Sequence, residues 1–262
     1  MSSSMHETQK PRGISLIIPA YNEESRLGPT LERYCRTLEA TGTPYEVIVV
    51  ADGTDGTVRV ASEFRERGVR VQIEPRRLGK GGAILRGFRL AVHPIIGYTD
   101  ADGSLATHDL ERLIRTAWVD GCAIGSRRAK GSVWIRNCSW SHRVASRAYN
   151  VLVRGVLGVP VGDTQCGAKF YDRDALDSVL NRVQVTNMTV DTAILFHLRR
   201  QHQKITEVPI TWVDAPGSRF TLTSEVFVMF LTVLGIRMMN LGSRPWRQGR
   251  IIAYFSRKYG ST

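Results

Sequence analysis

The sequence predicts an α/β protein with a mostly parallel central sheet flanked by helices and an amphipathic helix near the C-terminal end. Three observations predict it. Short β-branched runs without period-two polarity alternate with helical stretches, the pattern of strands buried on both faces. The residues best suited to chemistry, Asn22, Asp52, Lys80, Asp100 and Asp102, all follow strands or sit in the next loop, where parallel sheets bind ligands. At 262 residues and 42% hydrophobic, the chain has enough apolar material for one large domain.

The elements follow in order. Residues 14–18 form a strand closed by Pro19, and 45–50 form a second closed by Asp52-Gly53. Between them Leu27, Leu31, Tyr34 and Leu38 recur at helical spacing over 24–41. A helix over 57–67 leads to a strand at 69–73, and a helix over 82–91 leads to a strand at 95–99. Residues 110–120 and 122–125 repeat the alternation. After Arg128 the rhythm changes, with helices over 139–157, 173–180 and 191–202 and strands at 168–171 and 205–212. Residues 1–13 read as a flexible tail, 14–221 as one catalytic unit, and 222–262 as an amphipathic helix followed by a basic tail. On that last helix Phe227, Phe230, Leu231, Leu234, Met238 and Leu241 fall on one stripe. Glu225 and Arg237 keep its apolar run below the roughly 18–20 residues of a membrane span. It suits an interfacial helix, or one packed on the domain or a second copy.

The formal net charge is +12, and six of those charges (Arg237, Arg244, Arg247, Arg250, Arg257 and Lys258) lie in the last 26 residues without an acidic neighbour. Such a surface attracts polyanions, phosphorylated substrates or an anionic lipid leaflet. Nucleic acid is not expected, because no reading module is recognisable. Cys35, Cys122, Cys138 and Cys166 form no CxxC pair, which argues against zinc and for reduced thiols. With a polar start lacking a secretory apolar stretch, the expected location is the cytoplasm, with peripheral attachment to its membrane face.

Asp100-Ala101-Asp102 closes the fourth strand. Two carboxylates one residue apart at a strand end suit a hard divalent cation, Mg2+ or Mn2+, whose usual other ligands are phosphate oxygens. Ala101 between them leaves room for a large ligand against the metal. The same pattern also caps turns. Gly79-Lys80-Gly81-Gly82 lacks the spacing and the Ser/Thr of a nucleotide-triphosphatase loop. No histidine spacing resembles a metal motif.

Four segments in sequence order carry a resemblance: Ile17-Ile18-Pro19-Ala20-Tyr21-Asn22-Glu23-Glu24, Val49-Val50-Ala51-Asp52-Gly53-Thr54-Asp55-Gly56-Thr57, Arg77-Leu78-Gly79-Lys80-Gly81-Gly82-Ala83, and the Asp100–Ser104 loop. Over residues 14–220 the chain resembles the family 2 inverting glycosyltransferases, whose nucleotide-sugar-binding fold is designated GT-A. Ala123-Ile124-Gly125-Ser126-Arg127, the segment from Asp163 to Lys169, Glu207-Val208-Pro209-Ile210 and Pro216-Gly217-Ser218-Arg219 narrow the likeness to polyprenyl- and dolichyl-phosphate glucose or mannose synthases. The glucosyl branch is slightly favoured.

The resemblance implies transfer of a hexose from UDP-glucose or GDP-mannose to polyprenyl or dolichyl phosphate. Pro19, Ala20, Tyr21, Asn22, Glu23, Asp52, Lys80, Gly81 and Asp100 to Asp102 are expected on the nucleotide side, with Asp100 and Asp102 on the metal. Arg127, Arg143, Arg147, Lys169 and Arg219 are expected to hold the acceptor phosphate. Asp163, Gln165 and Asp191 are expected to line the sugar or acceptor side, and Asp102, Asp163, Gln165, Asp191, Arg127 and Arg219 form the catalytic set. Two departures stand out. Ala51 replaces an aspartate, and Ala193 replaces the glutamate of a Trp-x-Phe-Asp-x-Glu-like stretch, leaving Asp191 alone. The alternatives are a family member with a soluble acceptor, for which Asp191 or Asp163 would serve as base, and an inactive fold that binds membranes or polyanions. Self-association is a further expectation.

Overall fold

The computed structural model describes residues 13–135, 140–214 and 224–240. Chain order runs β1 (Ile14–Ala20), α1 (Glu24–Ala40), β2 (Tyr45–Ala51), α2 (Thr57–Ser62), β3 (Val69–Ile73), α3 (Gly79–Leu90), β4 (Ile95–Thr99), α4 (Thr107–Asp120) and β5 (Cys122–Ser126). It continues with β6 (Val133–Ile135), α5 (Trp140–Leu157), β7 (Ala168–Asp172), α6 (Arg173–Leu180), α7 (Val190–Arg200), β8 (Thr206–Pro209), β9 (Thr211–Val213) and α8 (Ser224–Met239).

Among the described residues, seven strands form one sheet in the order β3-β2-β1-β4-β7-β5-β8. The first four are parallel, as expected. β7 runs antiparallel to both β4 and β5. Every residue of β1 except Pro19 is buried, as are all of β4 and β5, which explains their uninterrupted apolar runs. One apolar layer joins α3, α5, α6, α7 and α8 to one face. A second joins α1 and α4 to the other.

Three expectations need correction. Residues 57–67 are not one helix: α2 ends at Ser62 and a short 3-10 turn covers Arg65–Arg67 before left-handed Gly68. Residues 205–212 are two strands. Pro209 has no N–H to continue a ladder, and Ile210 hands the chain to a separate parallel pair, β6 with β9. That pair had no sequence signal, because three residues carry almost no periodicity. Of the readings open to α8, its inner face takes packing on the domain: Met229, Val233 and Ile236 lie in the main core. Phe230 leaves the outer stripe for a ring contact with Tyr149, while Phe227, Leu231, Leu234 and Met238 are exposed. Gly13, placed in the tail by its polar neighbours, is buried and accepts from the Ile95 N–H. Cys35, Cys122 and Cys166 are buried free thiols; Cys138 and Leu241 lie outside the described residues.

Candidate active site

The loops after β1, β2 and β4 meet at the carboxyl ends of their strands, as the parallel pairing dictates. Asn22 adopts a left-handed conformation (φ 54°), and its Oδ1 accepts from the Thr54 N–H at 2.8 Å, tying the first loop to the second. The Glu23 N–H donates to Thr57 Oγ1 at 2.8 Å, and its carboxylate pairs with Arg26. Burial raises the Glu23 carboxyl despite Arg26, and the charges of Asp102 and Asp100 add to the rise, so the two loops share one electrostatic site. Tyr21 lies beneath the guanidinium of Arg77, 4.1 Å from the ring centroid. Pro19 and Ala20 complete β1, with the Ala20 carbonyl accepting from the Asp52 N–H.

Asp52, expected on the nucleotide side, is first a helix cap. Its Oδ2 accepts from the N–H groups of Leu78 and Gly79 at 2.8 and 3.0 Å, fixing the start of α3. Gly81 packs against the 186–187 backbone so closely that a Cβ would lie 2.3 Å from the Asn187 carbonyl oxygen.

From the second residue of α3, Lys80 Nζ reaches Asp100 Oδ1 at 2.5 Å. Burial opposes the lysine charge, but Asp100 and Asp191 outweigh it and raise its pKa. Asp102 Oδ1 accepts from the Ser104 N–H at 3.0 Å. Burial raises the Asp102 carboxyl, and the neighbouring Asp100 charge raises it further. Ala101 is buried in the core beneath the loop, so it does not line the metal face as expected. It lies in the turn after β4, which ends at Thr99, and that turn folds its methyl group inward. Gly167 supports the pair from behind: a Cβ there would lie 2.0 Å from Asp100 Oδ2.

Two carboxylates close together beside a single ammonium, one of them raised by its neighbour's charge, fit a hard cation that takes its remaining ligands from a diphosphate. Asp100 and Asp102 are the residues that could hold one there. Among the described residues no group of three His, Cys, Asp or Glu side chains is placed for a metal.

The expected acceptor side divides. Arg127 grips buried Asp163 bidentately, Nε to Oδ2 at 2.7 Å and Nη2 to Oδ1 at 2.9 Å, and stacks on Trp134 at 4.6 Å. Burial works against the Asp163 charge, yet Arg127 lowers its pKa overall. The two side chains, expected on the acceptor side, are thus paired with each other. The assignment of Lys169 is corrected. It is 0% exposed, and it donates to the Cys166 carbonyl at 2.6 Å and Tyr98 OH at 3.1 Å while pairing with Asp191. Gln165 donates to Thr192 Oγ1 at 3.3 Å, next to Asp191 in α7. Arg147 is exposed on α5, Arg143 lies in the same helix, and Arg219 lies outside the described residues.

Sequence reasoning missed Tyr98, Arg77, Trp134 and Trp212. The spacing Tyr98-x-Asp100 was a signal for the first, because alternate strand residues share a face. The others come together only through pairing of distant segments.

The profile of glycosyl transferase family 2 matches residues 15–180. The chain belongs to glycosyl transferase family 2. This glycosyltransferase is 32% identical over 225 residues to a dolichyl-phosphate beta-glucosyltransferase of Drosophila melanogaster, covering 79% of the chain and 69% of that protein. It is 30% identical over 267 residues to the Saccharomyces cerevisiae protein of the same name, covering 90% and 77%. Among solved structures, glucosyl-3-phosphoglycerate synthase from Mycobacterium tuberculosis in complex with Mn2+, UDP and phosphoglyceric acid superimposes with a TM-score of 0.64. It shows 19% identity and coverage of 90% of this chain and 80% of that one. The glycosyltransferase thus has a GT-A-like α/β fold.

Proposed function

We propose that the enzyme transfers glucose, with inversion, from UDP-glucose to an acceptor phosphate, and that polyprenyl phosphate is the acceptor. The carrying observation is the cluster of Lys80, Asp100 and Asp102 at the strand ends. A cation held there by the two aspartates supplies charge stabilisation to the departing diphosphate. Lys80 adds a positive charge on the same side, and the loops carrying Tyr21, Asn22 and Asp52 frame the nucleotide.

The acceptor class is supported by what the other carboxylates do. Asp163 is held by Arg127, and Asp191 by Lys169 and the Tyr98 hydroxyl. Neither suits the general base that a sugar hydroxyl requires. A phosphate oxygen is ionised near neutral pH and needs none. In this reading it attacks the anomeric carbon as the bond from that carbon to the diphosphate oxygen breaks. UDP leaves with the electron pair, and the configuration inverts. Arg147 on α5, with Arg143 and Arg219, supplies the basic residues to receive the acceptor.

The dolichyl-phosphate glucosyltransferase relatives support the lipid acceptor. Four exposed apolar residues on α8 (Phe227, Leu231, Leu234 and Met238), followed by the basic C-terminal sequence, support peripheral contact with an anionic cytoplasmic leaflet. Among the described residues no helix is long and apolar enough to cross a membrane. A second reading, a soluble phosphorylated acceptor, is favoured by the structural likeness to the glucosyl-3-phosphoglycerate synthase.

Radiolabelled UDP-glucose and GDP-mannose, each offered with short-chain polyprenyl phosphate, detergent and Mn2+ or Mg2+, test the proposal. Labelled lipid from UDP-glucose is expected. Metal-dependent hydrolysis without labelled lipid selects the soluble acceptor, label from GDP-mannose changes the sugar, and absence of all turnover rejects the reaction for these donors.

A further inference from the structure

Lys169 is buried on β7, directly opposite Tyr98 in the antiparallel pairing with β4. Its ammonium joins three segments that are far apart in sequence. It donates to the Cys166 carbonyl at 2.6 Å, donates to the Tyr98 hydroxyl at 3.1 Å, and faces Asp191 Oδ2 at 3.3 Å in the first turn of α7. Tyr98 in turn donates to the other oxygen of Asp191. Of the three donors of an ammonium, two make hydrogen bonds, to the Cys166 carbonyl and the Tyr98 hydroxyl, and the charge pairs with Asp191. Both oxygens of Asp191 are likewise engaged. The surroundings are apolar, with Phe88 edge-on to both Tyr98 and Tyr171.

Each contact ends close to the metal-binding aspartates. Tyr98 is two residues before Asp100 on the same strand. Cys166 precedes Gly167, whose backbone stands against Asp100 Oδ2 with no room for a Cβ. Asp191 adds to the field that holds Lys80 in its charged form, and Lys80 is the ion-pair partner of Asp100. A buried ion pair contributes little net stability against apolar replacements, whereas removing one partner is strongly destabilising. Such a pair is best explained by what it fixes.

We propose that Lys169 is a positioning residue for the donor half of the site. It is the internal cation that locks Asp191, Tyr98 and the Cys166–Gly167 turn together and so sets the place of Asp100. Asp191 is then an electrostatic anchor and not the base of the transfer. This inference rests on the reading of Asp100 and Asp102 as ligands of the metal–diphosphate group. It makes no use of the acceptor's identity.

The test compares Lys169→Met, Asp191→Asn and the double variant with the unaltered chain by calorimetric titration of UDP in the presence of Mn2+, by thermal unfolding, and by steady-state kinetics. Lys169→Met is expected to weaken UDP binding about tenfold or more and to lower the unfolding midpoint, leaving the acceptor KM unchanged. Adding Asp191→Asn removes the unpaired buried carboxylate. The double variant is therefore expected to recover at least half of the lost midpoint and to bind UDP more tightly than Lys169→Met alone. Should Lys169→Met fail to fold, a folded double variant still supports the coupling. Unchanged UDP affinity with a raised acceptor KM in Lys169→Met would overturn the proposal. So would a double variant no more stable than the single one. Failure of transfer to polyprenyl phosphate rejects the proposed acceptor but leaves these binding and stability readouts intact.

Discussion

In the turn after β4, Asp100 and Asp102 stay partly exposed while Ala101 is buried in the core, and the chemistry of the site follows from that geometry. Burial and the Asp100 charge raise the Asp102 carboxyl, so folding favours its protonated form. Its contribution to stability is therefore full below the unfolded-state pKa of an aspartate and is lost as pH rises through the raised folded value. Above that value the site holds a carboxylate the fold would rather neutralise. Asp102→Asn is expected to raise the thermal midpoint by on the order of 2 °C while lowering transferase activity by at least about 100-fold, as a stability–function trade-off. Protons also compete with the metal. Mn2+ affinity, followed by the paramagnetic signal of the free ion, is expected to weaken on acidification at a higher pH than an exposed aspartate pair would show. Asp100 and Asp102 were legible in the sequence because both residue type and strand-end position announce the chemistry. The place of Lys169 was not: its charge and motif suggested an acceptor-phosphate contact, and only the pairing of β7 with β4 buries it.

Arg127 and Asp163 show the same effect between elements. Arg127 follows β5, Asp163 precedes β7, and these strands are antiparallel neighbours, so the two side chains are brought together beneath Trp134 and Trp212. Burial opposes the Asp163 charge and Arg127 overcomes it, lowering the carboxyl below its ordinary range. The stability this gives is present above the unfolded-state pKa and is lost as pH falls through the folded value. Arg127→Met is expected to destabilise the protein by about 3–5 kcal/mol, because it strands a buried carboxylate. It should also reverse the trend with pH: burial alone raises the Asp163 pKa, so the variant gains stability on acidification. Denaturant titrations at pH 5 and pH 8 would register that change of sign. The helices and strands on either side were readable from periodicity, except where Pro209 divides β8 from β9. Residues 206–213 alternate well enough to suggest one strand, and no local signal says that the second half joins a different sheet.

Over the whole molecule, the sequence pattern correctly gave an α/β fold with a mostly parallel sheet, and the candidate site residues gather beyond the carboxyl ends of its strands. It could not say how α8 sits. Its inner residues Met229, Val233 and Ile236 are buried, while Phe227 and Met238 remain 64% and 63% exposed. The outer face and the net charge of +12 together suit an anionic lipid surface. The paired change Phe227→Glu and Leu231→Glu is expected to reduce co-sedimentation with phosphatidylserine-containing vesicles about tenfold or more. It should leave the thermal midpoint unchanged, because neither side chain is in the core. Retained vesicle binding would argue against this face, and a change from dimer to monomer by light scattering would assign it to a second copy.

The sequence by itself determined the family, the order of the loops and the carboxylate pair, because these depend on residue type at fixed local spacing. Which charged residues are free to meet a ligand was decided only by the tertiary structure. Arg127, Asp163, Lys169 and Asp191 all have the right chemistry for substrate binding. Packing turns each of them inward to another charge, since a buried ion is tolerated only when its partner is brought to it from elsewhere in the chain.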